Sequence, residues 1–99
     1  MTVNGYEMKT TFWSDFTIAD AFGIDAIKDT FKRAFNEWKT NTIYITELAL
    51  VMNWKCWTWY YKGNNVISKL YSDYYYEVRE WCLDNLKDKD LKYYLDTTD

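Results

Sequence analysis

The stretch that decides the fold covers residues 43–62 and reads IYITELALVMNWKCWTWYYK. Apolar side chains recur in it every three or four residues, which is the period of an α-helix. They form two stripes instead of one, so the helix is apolar nearly all round and is expected to lie at the centre of the protein. The first stripe contains Ile45, Leu48, Ala49, Met52, Cys56, Trp59 and Tyr60, and the second contains Ile43, Leu50, Trp54, Trp57 and Tyr61.

A competing interpretation places a strand at residues 42–46, where threonine, isoleucine and tyrosine favour extended backbone. The helical period continues far beyond that segment, so we favour the helix. Asn41 or Thr42 is expected to cap its start, and Gly63 follows its end, where glycine is typical.

Two helices are predicted before this central one. The first covers residues 14–22, with Ser14 as its N-cap and Gly23 at its end. Asp25 is expected to cap the second, over about residues 25–39. Its apolar residues form a single stripe, which indicates one buried face. They are Ile27, Phe31, Ala34, Phe35 and Trp38.

Two further helices are predicted after it. Asn65 is expected to cap a long helix over about residues 66–87, and Asp88 a short last helix over about residues 88–95. The inner faces are expected to contain Ile67, Leu70, Tyr71, Tyr74, Val78 and Trp81 in the long helix, and Leu91, Tyr94 and Leu95 in the short one.

These elements predict an all-α fold, a compact bundle of four to five helices with the aromatic-rich helix in the middle. The length of 99 residues suits one domain. We expect residues 1–12 to be a weakly structured leader, residues 13–96 to be the helical domain and residues 97–99 to be a polar tail.

Composition excludes several classes of function. Histidine is absent, which removes the commonest general base and the favoured ligand of transition metals. The two cysteines, Cys56 and Cys82, are expected to be free, buried thiols. Asp84, Asp88 and Asp90 cluster without the spacing of a calcium-binding loop. We therefore expect a non-enzyme with neither cofactor nor metal.

The distribution of apolar and charged residues also predicts the compartment and the partners. No apolar run is long enough to cross a membrane, and the first residues do not form a secretory signal, so a cytoplasmic location is expected. The net charge of −3 disfavours direct nucleic-acid binding, which needs clustered lysine and arginine.

A row of carboxylates follows one face of the predicted long helix. Asp73, Glu77, Glu80 and Asp84 are spaced by four, three and four residues, so they lie side by side. The plain interpretation is a solvated helix face. The functional alternative is an acidic patch that binds a basic surface of a partner.

Aromatic residues are the second unusual feature, at 21% of the chain. Most of these rings are expected to pack in the core. A domain of this size has difficulty covering both stripes of its central helix, so Trp57 and Tyr61 are the best candidates for an exposed interface. Stacking of single-stranded bases is an alternative, with Lys55 and Lys62 as the neighbouring cations.

Six segments together resemble small proteins without an assigned activity that bacterial phages and integrating mobile elements encode. They read TFWSDF at 11–16, IDAIKDT at 24–30, NEWK at 36–39, L at 48, NWK at 53–55 and YLDTTD at 94–99. The resemblance implies an accessory protein that acts on a host protein. Anti-CRISPR proteins are one such group, and they commonly cover a nucleic-acid-binding surface.

The sequence therefore predicts a protein-binding module. The favoured hypothesis is stoichiometric inhibition of a host defence nuclease or nucleoprotein in the bacterial cytoplasm, through the acidic row and the exposed rings. A homodimeric structural or assembly protein is the alternative, with the second stripe of the central helix buried between two copies.

Overall fold

The computed structural model describes residues 2–3, 6–7 and 11–98, with side chains from residue 13 onward. Five helices account for nearly all of this part: α1 (Thr11–Phe22), α2 (Ile24–Trp38), α3 (Thr42–Tyr61), α4 (Asn65–Asn85) and α5 (Asp88–Thr98). Two short strands, β1 (Thr2–Val3) and β2 (Tyr6–Glu7), pair antiparallel with Val3 opposite Tyr6. The predicted all-α bundle is confirmed.

α3 is the central helix, as predicted. α4 makes the most extensive contact with it, and α1, α2 and α5 also touch it. The 42–46 segment is the first turn of α3 and not a strand. Ile45, Leu48, Ala49 and Met52 of the first stripe are fully buried, whereas Tyr60 at its end is exposed.

The flanking helices bury the faces that their patterns predict. Ile27, Phe31, Ala34 and Trp38 of α2 are buried, as are Ile67, Tyr71 and Val78 of α4 and Tyr94 of α5. Aromatic pairs join α2 to α4. The rings of Phe31 and Tyr74 are stacked with centroids 3.9 Å apart, and Phe35 meets Trp81 edge to face at 6.1 Å.

The helix ends differ from prediction in detail. Asn41 is the N-cap of α3, and its side chain accepts hydrogen bonds from the backbone of Ile43 and Tyr44. For α4 the cap is Asn64 and not Asn65, because the Asn64 side chain reaches the Ile67 N–H at 3.0 Å. Ser14 does not cap α1, since that helix already begins at Thr11.

The start of α2 also differs. Gly23 takes the N-cap position with a φ of 110°, so Asp25 lies in the first turn of the helix and does not cap it. At the other end of the chain, α5 continues to Thr98 through residues expected to form the tail. Residues 1, 4–5 and 8–10 of the predicted leader lie outside the described residues, as does Asp99 of the predicted tail.

Candidate protein-interaction face

The C-terminal half of α3 displays a cluster of aromatic rings. Trp54 is 63% exposed, Trp57 51%, Tyr60 53% and Tyr61 80%. Trp57, Tyr60 and Tyr61 touch one another, with ring centroids 5.5 to 6.2 Å apart. We call Asn53, Trp54, Trp57, Tyr60 and Tyr61 the aromatic face. Both rings that the sequence singled out, Trp57 and Tyr61, therefore lie in one exposed cluster.

The aromatic face is exposed because no other helix covers it. α1 reaches only its edge, where the ring of Trp13 meets that of Trp54 edge to face at 6.2 Å. α5 packs further along α3, at its N-terminal end, where Ile43 lies beside Tyr93 in a shared concavity of about 440 Å³. The four other helices do not enclose this 20-residue apolar helix on every side.

No charged group is exposed on α3. The helix contains two ionisable side chains with a full charge at neutral pH in water, Glu47 and Lys55, and they are only 5% and 8% exposed. Lys62, directly after the helix, turns away from the aromatic face and places its Nζ 4.8 Å from the centroid of the Trp59 ring. The exposed surface of α3 is therefore apolar or neutral along its whole length.

Lys55 is buried because it is paired. Its Nζ lies 2.8 Å from Asp20 Oδ2 on α1 and 3.3 Å from Thr17 Oγ1. The Tyr71 hydroxyl of α4 donates to the other oxygen of Asp20 at 2.5 Å. Burial, and then this hydrogen bond to the carboxylate, raise the pKa of Tyr71 well above its usual range. This polar cluster ties three helices together.

The polar cluster was not predicted. Its sequence neighbours predict that Lys55 is a cation beside exposed rings, whereas Lys55 points to the opposite side of α3, toward Asp20. A signal was present, because Lys55 stands seven residues after Leu48, on the stripe that faces the core. A lysine at a core position indicates a buried acidic partner, although the pattern does not say which acid.

Glu47 is the other buried ionisable group of α3. Burial raises its pKa above the ordinary value of 4.5, and a hydrogen bond with the Trp13 side chain works in the opposite direction. Among the described residues, nothing hydrogen-bonds its Oε2 atom.

The predicted acidic row is exposed along α4. Lys69 pairs with Asp73 at 3.0 Å. Glu77 shares a shallow concavity with Lys32 of α2 and with Lys39, which follows that helix. Glu80 and Asp84 have no hydrogen bond or ion pair within residues 13–98, so the C-terminal part of the row carries the uncompensated charge. The row shares no ring contact, hydrogen bond or ion pair with the aromatic face in this part of the chain.

The thiols do not form a reactive centre. Both cysteines are free, Cys82 is fully buried and Cys56 is half-buried. Burial raises the pKa of Cys82 to about 12, so the unreactive thiol form dominates at neutral pH. Ser68 donates to the carbonyl of Cys56 at 2.9 Å and lies 3.6 Å from its Sγ, which places the half-buried thiol against α4.

In the part of the chain that the structure describes, no group of three or more potential ligands could hold a metal ion. No helix there is long and apolar enough to span a bilayer. Comparison with protein families, with curated proteins and with solved structures finds no match for this chain.

Proposed function

We propose that the protein is a non-catalytic protein-binding module whose contact surface is the aromatic face of α3. The observation that carries the proposal is a cluster of four rings, each at least half exposed, on a helix without any exposed charge. The centres of protein interfaces have this composition, since charged residues are depleted there and tryptophan and tyrosine are enriched.

The arrangement of the rings favours tight contact. Trp57, Tyr60 and Tyr61 already support one another through ring contacts, so their orientations are restricted before a partner arrives. Tryptophan and tyrosine have two side-chain torsions each, and a partner therefore pays little conformational entropy to order them. Exposed rings of this kind supply contact area at low cost.

Catalysis has less support. The sequence contains no histidine. In the polar cluster, the Asp20 carboxylate already pairs with the Lys55 ammonium and accepts a hydrogen bond from the Tyr71 hydroxyl. Base stacking on the rings also has less support, because it requires neighbouring cations. Asp20 neutralises Lys55, and Lys62 lies over Trp59.

A more specific function follows from the resemblance to phage and mobile-element proteins. We propose inhibition of a host defence nuclease in the bacterial cytoplasm, with the acidic row contacting the basic surface that normally binds nucleic acid. The exposed carboxylates of Glu80 and Asp84 support this role. Reversing Glu77, Glu80 and Asp84 to lysine is expected to weaken inhibition and reduce its sensitivity to salt. Undiminished inhibition by that variant would rule out the acidic contact.

Affinity capture from a lysate of the encoding organism tests the binding module itself. The bait is the full chain, and the test variant is Trp57→Ala with Tyr61→Ala. Tyr76→Ala is the matched control, since Tyr76 is 60% exposed but lies on α4. We expect a protein that the parent and the control retain and the double variant loses. Equal capture by all three would contradict a contact through the aromatic face.

A further inference from the structure

The aromatic face differs from the rest of the surface in its charge. The chain has 15 acidic and 12 basic side chains, which give a formal net charge of −3 at pH 7. Two identical molecules with this surface repel one another weakly at most orientations. The exposed side of α3 has no charge, so two copies can meet there without placing like charges together.

We propose that the partner of the aromatic face is a second copy of this chain. The two copies form a two-fold dimer in which the C-terminal halves of α3 pack antiparallel. This rests on the proposed function, because it uses the same contact surface and names its occupant. A two-fold interface brings the same patch of both copies together, so the patch must complement itself.

The side chains of the face meet that requirement. A tyrosine hydroxyl and an asparagine amide can each donate and accept hydrogen bonds, so Asn53 of one copy can pair with Tyr61 of the other. Aromatic rings attract one another edge to face, the geometry that Trp57 and Tyr60 already adopt. A surface that binds a strongly charged partner would instead carry charges opposite in sign to those of the partner.

The exposed rings provide a large part of the area that a stable dimer interface needs. An aromatic side chain can bury roughly 150–250 Å², so four rings with these exposures provide on the order of 500 Å² in each copy. A stable interface of standard size buries about 800 Å² per partner. The rings thus supply more than half of that area, and the exposed Asn53 and the partly exposed Leu50 adjoin them on the same side of α3.

Trp57 is the residue closest to the two-fold axis in this arrangement. It is the middle residue of the stretch from Asn53 to Tyr61, and at about 100° per residue it also lies in the middle of the face around the helix. Residues before it in one copy then meet residues after it in the other. A charge at position 57 would therefore face the same charge in the partner.

Sedimentation velocity over a wide range of protein concentration tests the dimer with full-length chains. We expect the parent to dimerise and both Trp57→Glu and Trp57→Lys to raise the dissociation constant at least about thirtyfold, the effect of losing a hot-spot residue. An equimolar mixture of these two variants is expected to recover association. Tyr76→Glu, on α4, is expected to dimerise like the parent.

Circular dichroism distinguishes lost association from lost folding, and Tyr61→Glu provides a second disruptive change at the most exposed ring. A parent that stays monomeric at all concentrations, or a Trp57→Glu variant that dimerises undiminished, would overturn the dimer. A mixture of variants without association would overturn the placement of Trp57 at the axis.

Further outcomes distinguish failure of the dimer from failure of the binding module. Ring-dependent capture of another protein by a monomeric parent would keep the binding module and overturn the second copy as its partner. Ring-dependent sedimentation of a monomeric parent with phosphatidylcholine vesicles would overturn both, because the face would then bind lipid.

Discussion

Both halves of α3 are rich in apolar residues, but their surroundings differ. In residues 42–52, every side chain from Ile45 to Ala49 is buried, and α5 packs at this end of the helix. In residues 53–61, only Lys55 is buried, and four rings face outward. Hydrophobic periodicity therefore predicts the helix, whereas the number and length of the neighbouring helices determine how much of it is covered.

The largest effect is expected where the exposed half is anchored to the core. Asp20→Ala leaves Lys55 buried without its partner, which is expected to lower the free energy of unfolding by about 3–5 kcal/mol. Asp73→Ala removes one carboxylate from the exposed pair with Lys69, and about 1 kcal/mol or less should be lost. Urea unfolding of both variants checks the difference. Similar losses in both would mean that the buried pair does not anchor α1.

A matched pair of truncations compares the two halves directly. Leu48→Ala removes a fully buried side chain and is expected to cost about 2–5 kcal/mol through lost contacts and the cavity left behind. Trp57→Ala removes a larger but half-exposed ring and should cost the monomer less than about 1 kcal/mol. Unfolding at a concentration below dimer formation separates these values from association. A larger cost for Trp57→Ala would show that its ring is part of the core.

A substitution at Gly63, just after the exposed half, is expected to have a smaller effect on stability. Gly63 has a φ of 84° and follows α3 in a turn where its N–H bonds to the carbonyl of Tyr60 and the Asn64 N–H bonds to that of Trp59. Gly63→Ala is expected to cost about 1 kcal/mol because a side chain disfavours this backbone conformation. A Cβ there meets no atom within 4 Å, so the cost is conformational. Gly63→Asn should lower the stability less than Gly63→Ala does, which thermal unfolding can measure. Equal losses of stability in the two variants would indicate a steric cause.

The buried half should also show a dependence on pH. Burial raises the pKa of Glu47, so the folded chain holds this proton to higher pH than the unfolded chain, whose Glu47 titrates near 4.5. The contribution of Glu47 to stability is therefore greatest below the unfolded pKa and falls as the pH rises toward the folded pKa. Glu47→Gln should remove this fall in stability with rising pH. The test is to measure the free energy of unfolding from acidic to neutral pH, with the exposed Glu80→Gln as control. A pH dependence in Glu47→Gln equal to that of the parent would contradict the role of Glu47.

Helix boundaries could be predicted more closely than helix caps. The five helices lie within a few residues of their expected positions, because the period of apolar residues extends over several turns. A cap depends on one side chain and the local turn. Asn64 and Asn65 are adjacent and chemically identical, and the turn at Gly63 places Asn64 where it reaches the α4 backbone. Sequence alone does not distinguish the two.

The candidate site was predicted in part. Trp57 and Tyr61 belong to a stripe that exceeds what the other helices can cover, so their exposure could be anticipated. Trp54 and Tyr60 complete the cluster, and Tyr60 stood on the stripe expected to be buried. Periodicity gives the direction of a side chain around a helix. It does not say where along the helix a neighbour ends.

The sequence by itself determined the all-α class, the central position of α3 and the absence of histidine chemistry, because these depend on local periodicity and composition. The tertiary structure decided that Lys55 turns inward to Asp20 and Tyr71, and that the rings of Trp54, Trp57, Tyr60 and Tyr61 are left uncovered. Asp20 and Lys55 are 35 residues apart, and a contact between distant residues arises only when helices pack. The same packing determines which apolar surface is left exposed.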